Sequence, residues 1–136
     1  ADVFDLPLYG NQFIPLGIKT ILSERVRIAA EFDKFCNGGS ILHANIDAPF
    51  NTFEKAWELV NYISDRGVTY FAVNTKIQAC EDNHAFYGTT CPECGKPIAT
   101  EYTRIVGFYT PIKTWSATRK QEYMMREWED VNNANA

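Results

Sequence analysis

The chain has 136 residues, of which 46% are hydrophobic, 14% aromatic and 22% charged, and this composition is that of a globular protein able to bury a core rather than of a disordered or low-complexity chain. The formal net charge is -4 with both signs mixed along the chain, which argues against charge-driven binding to nucleic acid or an anionic membrane. We also expect neither a membrane span nor a signal peptide.

The first part of the chain is predicted to pass from a loop to a helix and then to a strand. Residues 1–17 are rich in proline and glycine and indicate an irregular loop. Apolar residues at helical spacing predict a helix over 18–35, which ends at the Asn-Gly-Gly turn of 37–39. The short apolar run 40–46 predicts a buried strand.

A second helix is predicted to begin at Asn51 or Thr52, and with Asn51 as the cap Glu54 completes a capping box. Gly67 is the predicted end of this helix, and the β-rich run 68–73 follows. The side chains expected to form its buried stripe are Phe53, Ala56, Trp57, Val60 and Ile63. Strand, helix and strand over about thirty residues form a βαβ unit with parallel strands, which makes the first half α/β.

The second half is predicted to contain short strands and one long helix. Residues 74–103 are turn-rich and include most of the cysteines, which indicates a small hairpin module. Ser116 is the predicted cap of a final amphipathic helix over 117–131. The tail from Asn132 is expected to fray.

The stretch CEDNHAFYGTTCPECGKP, residues 80–97, concentrates potential metal ligands. Its turn 91–95 reads CPECG, in which two intervening residues let both thiolates face one metal and the glycine permits a tight backbone. A full second pair would have cysteine at position 83, where Asn83 stands with His84 next to it. The predicted ligands of a structural zinc ion are Cys80, His84, Cys91 and Cys94.

Other interpretations of these cysteines stay open. One alternative is that the cysteines are ordinary buried thiols. Another is that Cys91 and Cys94 form a thiol–disulfide pair, because CxxC thiols often have a lowered pKa. Cys36 is isolated and is expected only to pack. The clustering, without a sign of secretion, indicates reduced thiols in the cytoplasm rather than a disulfide framework.

Gly107 lies in the run RIVGF, among β-branched and aromatic residues, where a glycine alone indicates a bulge or a close backbone approach. The order of the motifs along the chain is more specific than the glycine alone. A cysteine knuckle, then TEYTRIVGFYTPIKTW, then a helix beginning SATRKQEY resembles the C-terminal region of class III (anaerobic) ribonucleotide reductases, which are glycyl radical enzymes. YGNQFIPL, GGSILHANI and GVTYFAVNTKI are similar to family segments in the same order, so the resemblance covers nearly the whole chain.

This resemblance implies that Gly107 carries a stored radical, which an activating enzyme installs with a 4Fe–4S cluster and S-adenosylmethionine. A radical at an α-carbon is delocalised only if that carbon is planar, and glycine has no Cβ to crowd this geometry. The resemblance also implies the C-terminal part of a ten-stranded α/β barrel. Its parts are a barrel segment with one βαβ unit (1–77), a zinc-ribbon-like module (78–103), the glycyl radical loop (104–115) and a C-terminal helix and tail (116–136).

The resemblance further implies that the thiyl-bearing cysteine, the nucleotide site and the regulatory domain lie upstream of Ala1, and Cys36 is not assigned the thiyl role. The chain does not begin with methionine, and we expect a fragment, a split subunit or a processed product that is inactive alone. The expected partners are the N-terminal part of the reductase, the activating enzyme and a ribonucleotide bound mainly by the missing part. Two alternatives are a spare-part subunit that repairs an oxygen-cleaved enzyme and a non-catalytic zinc-ribbon interaction module.

Overall fold

The computed structural model describes residues 13–15, 18–104 and 108–132. Gly107 and most of the predicted N-terminal loop lie outside the described residues, so the predictions made for them stay predictions. Within the described ranges, no helix combines the length and the apolar character needed to cross a bilayer.

A parallel pair of strands organises the first half of the chain. Its elements alternate along the sequence as α1 (Leu22–Asp33), β1 (Leu42–Asn45), α2 (Phe53–Asp65) and β2 (Phe71–Asn74). The two strands pair in parallel, with Leu42 opposite Phe71 and Asn45 opposite Asn74. The predicted α/β class, with strand, helix and parallel strand in succession, is therefore confirmed for this half.

Both helices pack against this strand pair through small and branched side chains. The buried cluster contains Val26, Ala29, Ala30, Leu42, Ala44, Ile63 and Val68. Of the stripe predicted for α2 only Ile63 is fully buried, and Leu59 and Tyr62 join it at the core. Phe53 and Trp57 are instead 74% and 55% exposed, and their rings stack on each other at 6.1 Å. That part of the prediction is wrong because α2 has apolar side chains on two faces.

The start of α2 is set by Thr52 rather than Asn51. The Thr52 hydroxyl accepts a hydrogen bond from the backbone N–H of Lys55 at 3.3 Å, which satisfies one of the free donors of the first turn. Thr52 is thus the cap, and the capping box between Asn51 and Glu54 does not form. Gly67 follows the helix with a φ of 92°, the left-handed conformation that ends many helices.

The first helix begins at Leu22, later than predicted, because the chain before it is held in a non-helical conformation. The Arg25 guanidinium donates to the carbonyl oxygens of Pro15, at 3.2 Å, and of Ile18. The backbone N–H of Leu22 donates to the Glu129 carboxylate at 2.8 Å. A carboxylate from the far end of the chain therefore caps this helix, in the position where an acidic group is favoured by the helix dipole.

An antiparallel sheet forms most of the second half. Its strands are β3 (Ile77–Ala79), β4 (Ala85–Phe86), β5 (Thr100–Arg104) and β6 (Tyr109–Pro111), in the spatial order β4-β3-β5-β6. The turn-rich composition of 74–103 correctly indicated short strands in a hairpin arrangement. The sheet also includes β6, which follows the glycine-containing run.

The last helix is capped as predicted but is shorter. After a short 3-10 helix (Ile112–Thr114), α3 (Ala117–Met124) begins where the Ser116 hydroxyl accepts from the N–H of Arg119 at 3.3 Å. The helix ends at Met124 instead of Val131, because Glu129 is drawn into pairing with the edge of the first sheet.

This pairing ties the C-terminal segment to β1. The N–H of Glu129 donates to the carbonyl of Asn45 at 3.0 Å, and the N–H of Asp47 donates to the carbonyl of Glu129 at 2.8 Å. The predicted fraying does not hold at Asn132, whose side-chain amide donates to the carbonyl of Pro49 at 2.9 Å and accepts from the N–H of Asn51 at 3.0 Å. The segment therefore lies beside β1 on the side opposite β2.

Candidate functional site

Four side chains with metal-binding atoms converge beside the antiparallel sheet. The ligand atoms of Cys80, His84, Cys91 and Cys94 all lie within 4.8 Å of one another. The Sγ atoms of Cys94 and Cys80 are 3.7 Å apart, and Nδ1 of His84 is 3.6 Å from Sγ of Cys91. A tetrahedral zinc ion with bonds of about 2.3 Å to sulfur and about 2.0 Å to nitrogen places its donors about 3.5–3.8 Å apart. The donor set and its spacing therefore fit one zinc ion.

Two tight turns bring these donors together. The N–H of Asn83 donates to the carbonyl of Cys80 at 3.0 Å, and the N–H of Gly95 donates to the carbonyl of Cys91 at 2.9 Å. Asn83 has a φ of 63° and Gly95 a φ of 71°, and asparagine tolerates this left-handed conformation better than most residues. Asn83, which stands where a second cysteine would complete the pair, thus forms the turn that carries His84 to the cluster.

Charged neighbours orient the histidine and join the two turns. His84 points Nδ1 at the cluster, while its Nε2 lies 3.5 Å from a carboxylate oxygen of Glu93. A carboxylate on the outer ring nitrogen is typical of metal-bound histidines, since it favours the tautomer that leaves the inner nitrogen free to coordinate. Lys96 of the second turn forms an ion pair with Asp82 of the first at 2.9 Å.

The thiols of the second turn differ in acidity. Burial alone would raise the pKa of Cys91, but the N–H groups of Cys94 and Glu93 and the neighbouring thiols hold this pKa below its usual value. At Cys94 the N–H of Lys96 favours the thiolate, yet burial and the thiols of Cys91 and Cys80 outweigh it and raise the pKa to about 11. Cysteine binds a metal as the thiolate, so a metal ion in this cluster would displace the thiol protons.

Cys36 lies apart from this cluster. Its side chain is exposed, so the expectation that it packs in the interior is wrong. It follows α1, and the chain continues from it into the Asn-Gly-Gly turn rather than into the core. Cys80 and Cys91 are by contrast buried, together with Phe86.

A second polar cluster lies at the carboxyl ends of the parallel strands. Asn45 and Asn74 are the last residues of β1 and β2, and the Asn74 side-chain amide donates to Oδ1 of Asn45 at 2.8 Å. Oδ1 of Asn74 accepts from the hydroxyl of Thr103 at 3.1 Å and from the backbone N–H of Arg104 at 3.3 Å. Asn74 is 1% exposed and Thr103 is fully buried. One asparagine therefore joins the parallel sheet to the strand that leads towards residue 107.

A buried ion pair holds the other side of the same strand end. The Arg126 guanidinium donates to both carboxylate oxygens of Glu122, from Nε at 2.7 Å and from a terminal nitrogen at 3.1 Å. Its remaining terminal nitrogen donates to the backbone carbonyl of Arg104 at 2.9 Å. A guanidinium that binds a carboxylate with two parallel hydrogen bonds has a fixed orientation, so the contact with Arg104 is fixed as well.

The structure thus brings together the predicted ligand residues, whereas the residues at the strand ends were not predicted as a site. In the sequence Asn45 and Asn74 end or interrupt predicted elements, and a place in the lining of a pocket was considered for them without a pattern that establishes it. Glu122 and Arg126 were considered only as part of an amphipathic helix, and their spacing of four residues is also that of an ordinary surface pair. The available signal was that two neighbouring parallel strands end in the same polar residue, at the edge where α/β sheets carry their sites.

Comparison with known proteins gives a consistent picture. Over residues 1–128 the chain matches the family described as anaerobic ribonucleoside-triphosphate reductase. A solved structure named anaerobic ribonucleotide reductase is 44% identical with a TM-score of 0.85, over 93% of this chain and 20% of that chain. The anaerobic ribonucleotide reductase from Thermotoga maritima with MES in the active site is 46% identical with a TM-score of 0.74, over 82% of this chain and 19% of that one.

The same Thermotoga maritima enzyme in complex with dATP and CTP is 43% identical with a TM-score of 0.70, over 90% of this chain and 20% of that chain. A search of curated proteins gives no significant match. The chain therefore spans only 19–20% of the length of these structures. Binding sites named for the complete enzymes are properties of those enzymes.

Proposed function

We propose that this chain, which belongs to the anaerobic ribonucleoside-triphosphate reductase family, is the C-terminal part of such an enzyme. We propose further that it carries the glycyl radical at Gly107. The observation that supports this most is the extent of the family match. It runs over residues 1–128, a range that includes the cysteine cluster, the RIVGF run and all of α3.

In this proposal the complete enzyme reduces ribonucleotides to deoxyribonucleotides, and this chain supplies the stored radical. An activating enzyme provides the iron–sulfur cluster and S-adenosylmethionine chemistry that removes a hydrogen atom from the glycine α-carbon. The residues of this chain present that carbon, hold the strands on either side of it and exclude water from it. Substrate and effector binding belong to the remainder of the enzyme.

The exposed apolar surface of α2 supports a role as one part of a larger protein. Phe53 and Trp57 form a stacked aromatic pair on the outer face of this helix, and large exposed aromatic groups usually mark a contact surface. We place the parallel strands β1 and β2 in the α/β barrel of the family, with this aromatic pair against the remainder of the reductase.

For the cysteine cluster we propose structural zinc held by Cys80, His84, Cys91 and Cys94. Four protein donors fill a tetrahedral shell and leave no position for a substrate or a reactive water. The alternative of a redox pair formed by Cys91 and Cys94 explains neither the position of Cys80 nor the orientation of His84 towards the same point.

Anaerobic activation tests the proposed function. The complete reductase containing this chain, or assembled with it, is incubated with an activating enzyme, S-adenosylmethionine and a reductant, and its electron paramagnetic resonance spectrum is recorded. We expect a doublet, because a glycyl radical retains one α-hydrogen that splits the signal. A silent spectrum, with an activase shown to be competent on its own reductase, would favour the interaction-module alternative. A doublet obtained with an oxygen-cleaved reductase would favour the spare-part role.

Zinc content tests the assignment of His84. We expect His84→Ala to bind zinc more weakly than the parent, and Glu93→Gln to lower zinc affinity by about 10–100-fold because the outer nitrogen of the histidine loses its partner. Both are measured by competition with a chromogenic chelator. Glu81→Gln is the matched control, since this neighbouring acid is exposed and the ion pair of the histidine is with Glu93. Unchanged affinity in His84→Ala would remove this residue from the ligand set.

A further inference from the structure

We propose that Asn74 is a positioning residue for the radical site, because it fixes the backbone of Arg104 at the end of the strand that leads to Gly107. The inference rests on the proposed function. The Glu122–Arg126 pair completes the same arrangement from the opposite side.

The strand β3 begins too late along the sheet to pair with Arg104. Ile77, the first residue of β3, pairs with Tyr102 in β5. Arg104 lies two residues beyond Tyr102 along β5, so it has no pairing partner in β3. In an antiparallel ladder the N–H and the carbonyl of one residue face the same neighbour, so both groups of Arg104 face the side on which β3 has ended. Unpaired buried backbone groups are costly.

Two side chains replace the missing strand at this place. The side-chain oxygen of Asn74 accepts from the N–H of Arg104 at 3.3 Å, and Arg126 donates to its carbonyl at 2.9 Å. Asn74 and Arg126 are 1% and 5% exposed, and Glu122 orients the guanidinium through two hydrogen bonds. Arg104 is therefore held at both backbone groups by buried groups whose own hydrogen bonds leave them little freedom.

The strand on the far side of the glycine run is tied to the same place. Tyr109, opposite Arg104 in the ladder of β5 and β6, accepts through its hydroxyl from the N–H of Thr75 at 3.4 Å. The Arg104 guanidinium lies 5.3 Å from the centre of the Tyr109 ring. The dipeptide 74–75 at the end of β2 thus contacts residues on both sides of the segment that contains Gly107.

This arrangement links a parallel strand end to Arg104, the last described residue before the segment that contains Gly107. The carboxyl ends of parallel strands are where α/β folds place their reacting groups, and Asn45 supports Asn74 from the neighbouring strand. A displacement of about 1 Å at a reacting centre can lower the reaction rate by about a hundredfold. A group that fixes Arg104 therefore controls whether the glycine α-carbon meets the activating enzyme and its reaction partner in the reductase.

Substitution of Asn74 in the complete reductase tests this inference. Asn74→Leu keeps the approximate size but cannot bind the N–H of Arg104, and we expect its radical yield per zinc-loaded protein to fall by about ten- to a hundredfold. Asn74→Asp keeps an oxygen that accepts from the N–H of Arg104. Its protonated carboxyl group also donates to Asn45, as the amide of Asn74 does, so we expect this variant to restore most of the radical yield. Radical is counted by electron paramagnetic resonance.

Thr103→Val is the matched control within the same cluster. It removes the hydroxyl that lies 3.1 Å from Oδ1 of Asn74 and 3.3 Å from the carbonyl of Thr75. The hydrogen bond between Asn74 and Arg104 stays, so we expect a radical yield close to that of the parent. Equal losses in Asn74→Leu and Thr103→Val would overturn the inference, since they would reflect general damage to a buried polar cluster. A folded Asn74→Leu protein with the parent's radical yield would overturn it as well.

Hydrogen–deuterium exchange provides a measurement that needs no radical. In peptides that span residues 100–109, we expect faster amide exchange in Asn74→Leu than in the parent and no change in Thr103→Val. Should Asn74→Leu fail to fold, Arg126→Lys takes its place, because lysine keeps the charge opposite Glu122 but cannot also reach the carbonyl of Arg104. Unchanged exchange in the variants would overturn the inference. If the parent forms no radical but amide exchange in Asn74→Leu is faster as expected, the proposed function fails. The conclusion that Asn74 fixes the backbone of Arg104 then still holds.

Discussion

Replacing Gly107 with alanine is expected to abolish the radical doublet and, with it, ribonucleotide reduction by the complete enzyme. A glycyl radical is stable because the unpaired electron is shared between the adjacent amide nitrogen and carbonyl, which requires a flat α-carbon. A Cβ at this carbon crowds the flanking peptide groups in that geometry, and glycine is the one residue without it. The expected loss is complete within the detection limit of the spectrum, and zinc content and folding are expected to stay at the parent level.

The control for this substitution is Gly88, a glycine of the segment 78–103. Gly88 has a φ of 128°, and a Cβ built on it has no atom within 4 Å. Gly88→Ala therefore carries backbone strain of order 1–3 kcal/mol without any steric clash. We expect it to lower stability but to keep the doublet. A doublet of parent intensity in Gly107→Ala, measured under the same activation, would contradict the assignment of the radical to this residue.

The parallel strand pair was predictable because local signals agreed with one another. The run 40–46 contains β1, the run 68–73 covers all of β2 except Asn74, and Thr52 and Gly67 delimit the helix between them. The side of α2 that faces the core was not predictable. Phe53 and Trp57 are large apolar side chains on an exposed face of the helix, and periodicity alone does not tell which of two faces with apolar residues meets the core.

Long-range pairing explains the errors at the chain ends. Helix propensity extends through Val131, but backbone hydrogen bonds of Glu129 with the edge of β1 take the chain out of the helix after Met124. Tertiary contacts of this kind override propensity. The same contact supplies the cap of α1 at Leu22, which no local pattern in the first helix indicates.

The candidate metal centre was predictable from spacing, whereas the strand-end cluster was not. The residue type and spacing of Cys80, Cys91 and Cys94 indicate metal ligands. The structure places His84 with them through the left-handed turn at Asn83. Asn74 and Arg126 belong to residue types that occur at any strand end or helix surface. Their arrangement around Arg104 depends on where β3 begins, which is a property of the assembled sheets rather than of a local segment.

Removal of zinc is expected to unfold the small module around the cysteines while the parallel half stays folded. The buried cluster of this module consists of Cys80, Phe86 and Cys91, which is too small a core to offset the entropy of ordering its chain. Structural zinc contributes about 10–16 kcal/mol of apparent free energy in small zinc-finger domains at neutral pH. We therefore expect Cys91→Ser, or chelation of the parent, to abolish amide protection across 78–103 and to leave α1 and β1 protected.

Loss of the module is also expected to reduce the radical yield, because β5 connects the cysteine cluster to Arg104. In Cys91→Ser the register of β5 against β3 is no longer held by the second turn, so the hydrogen bonds of Arg104 to Asn74 and Arg126 weaken with it. Cys36→Ser is the matched control, since this exposed cysteine lies outside the cluster, and it is expected to keep zinc, amide protection and radical. Protection across 78–103 that survives complete zinc removal would show that the module folds through its own contacts and that the ion is dispensable to its structure.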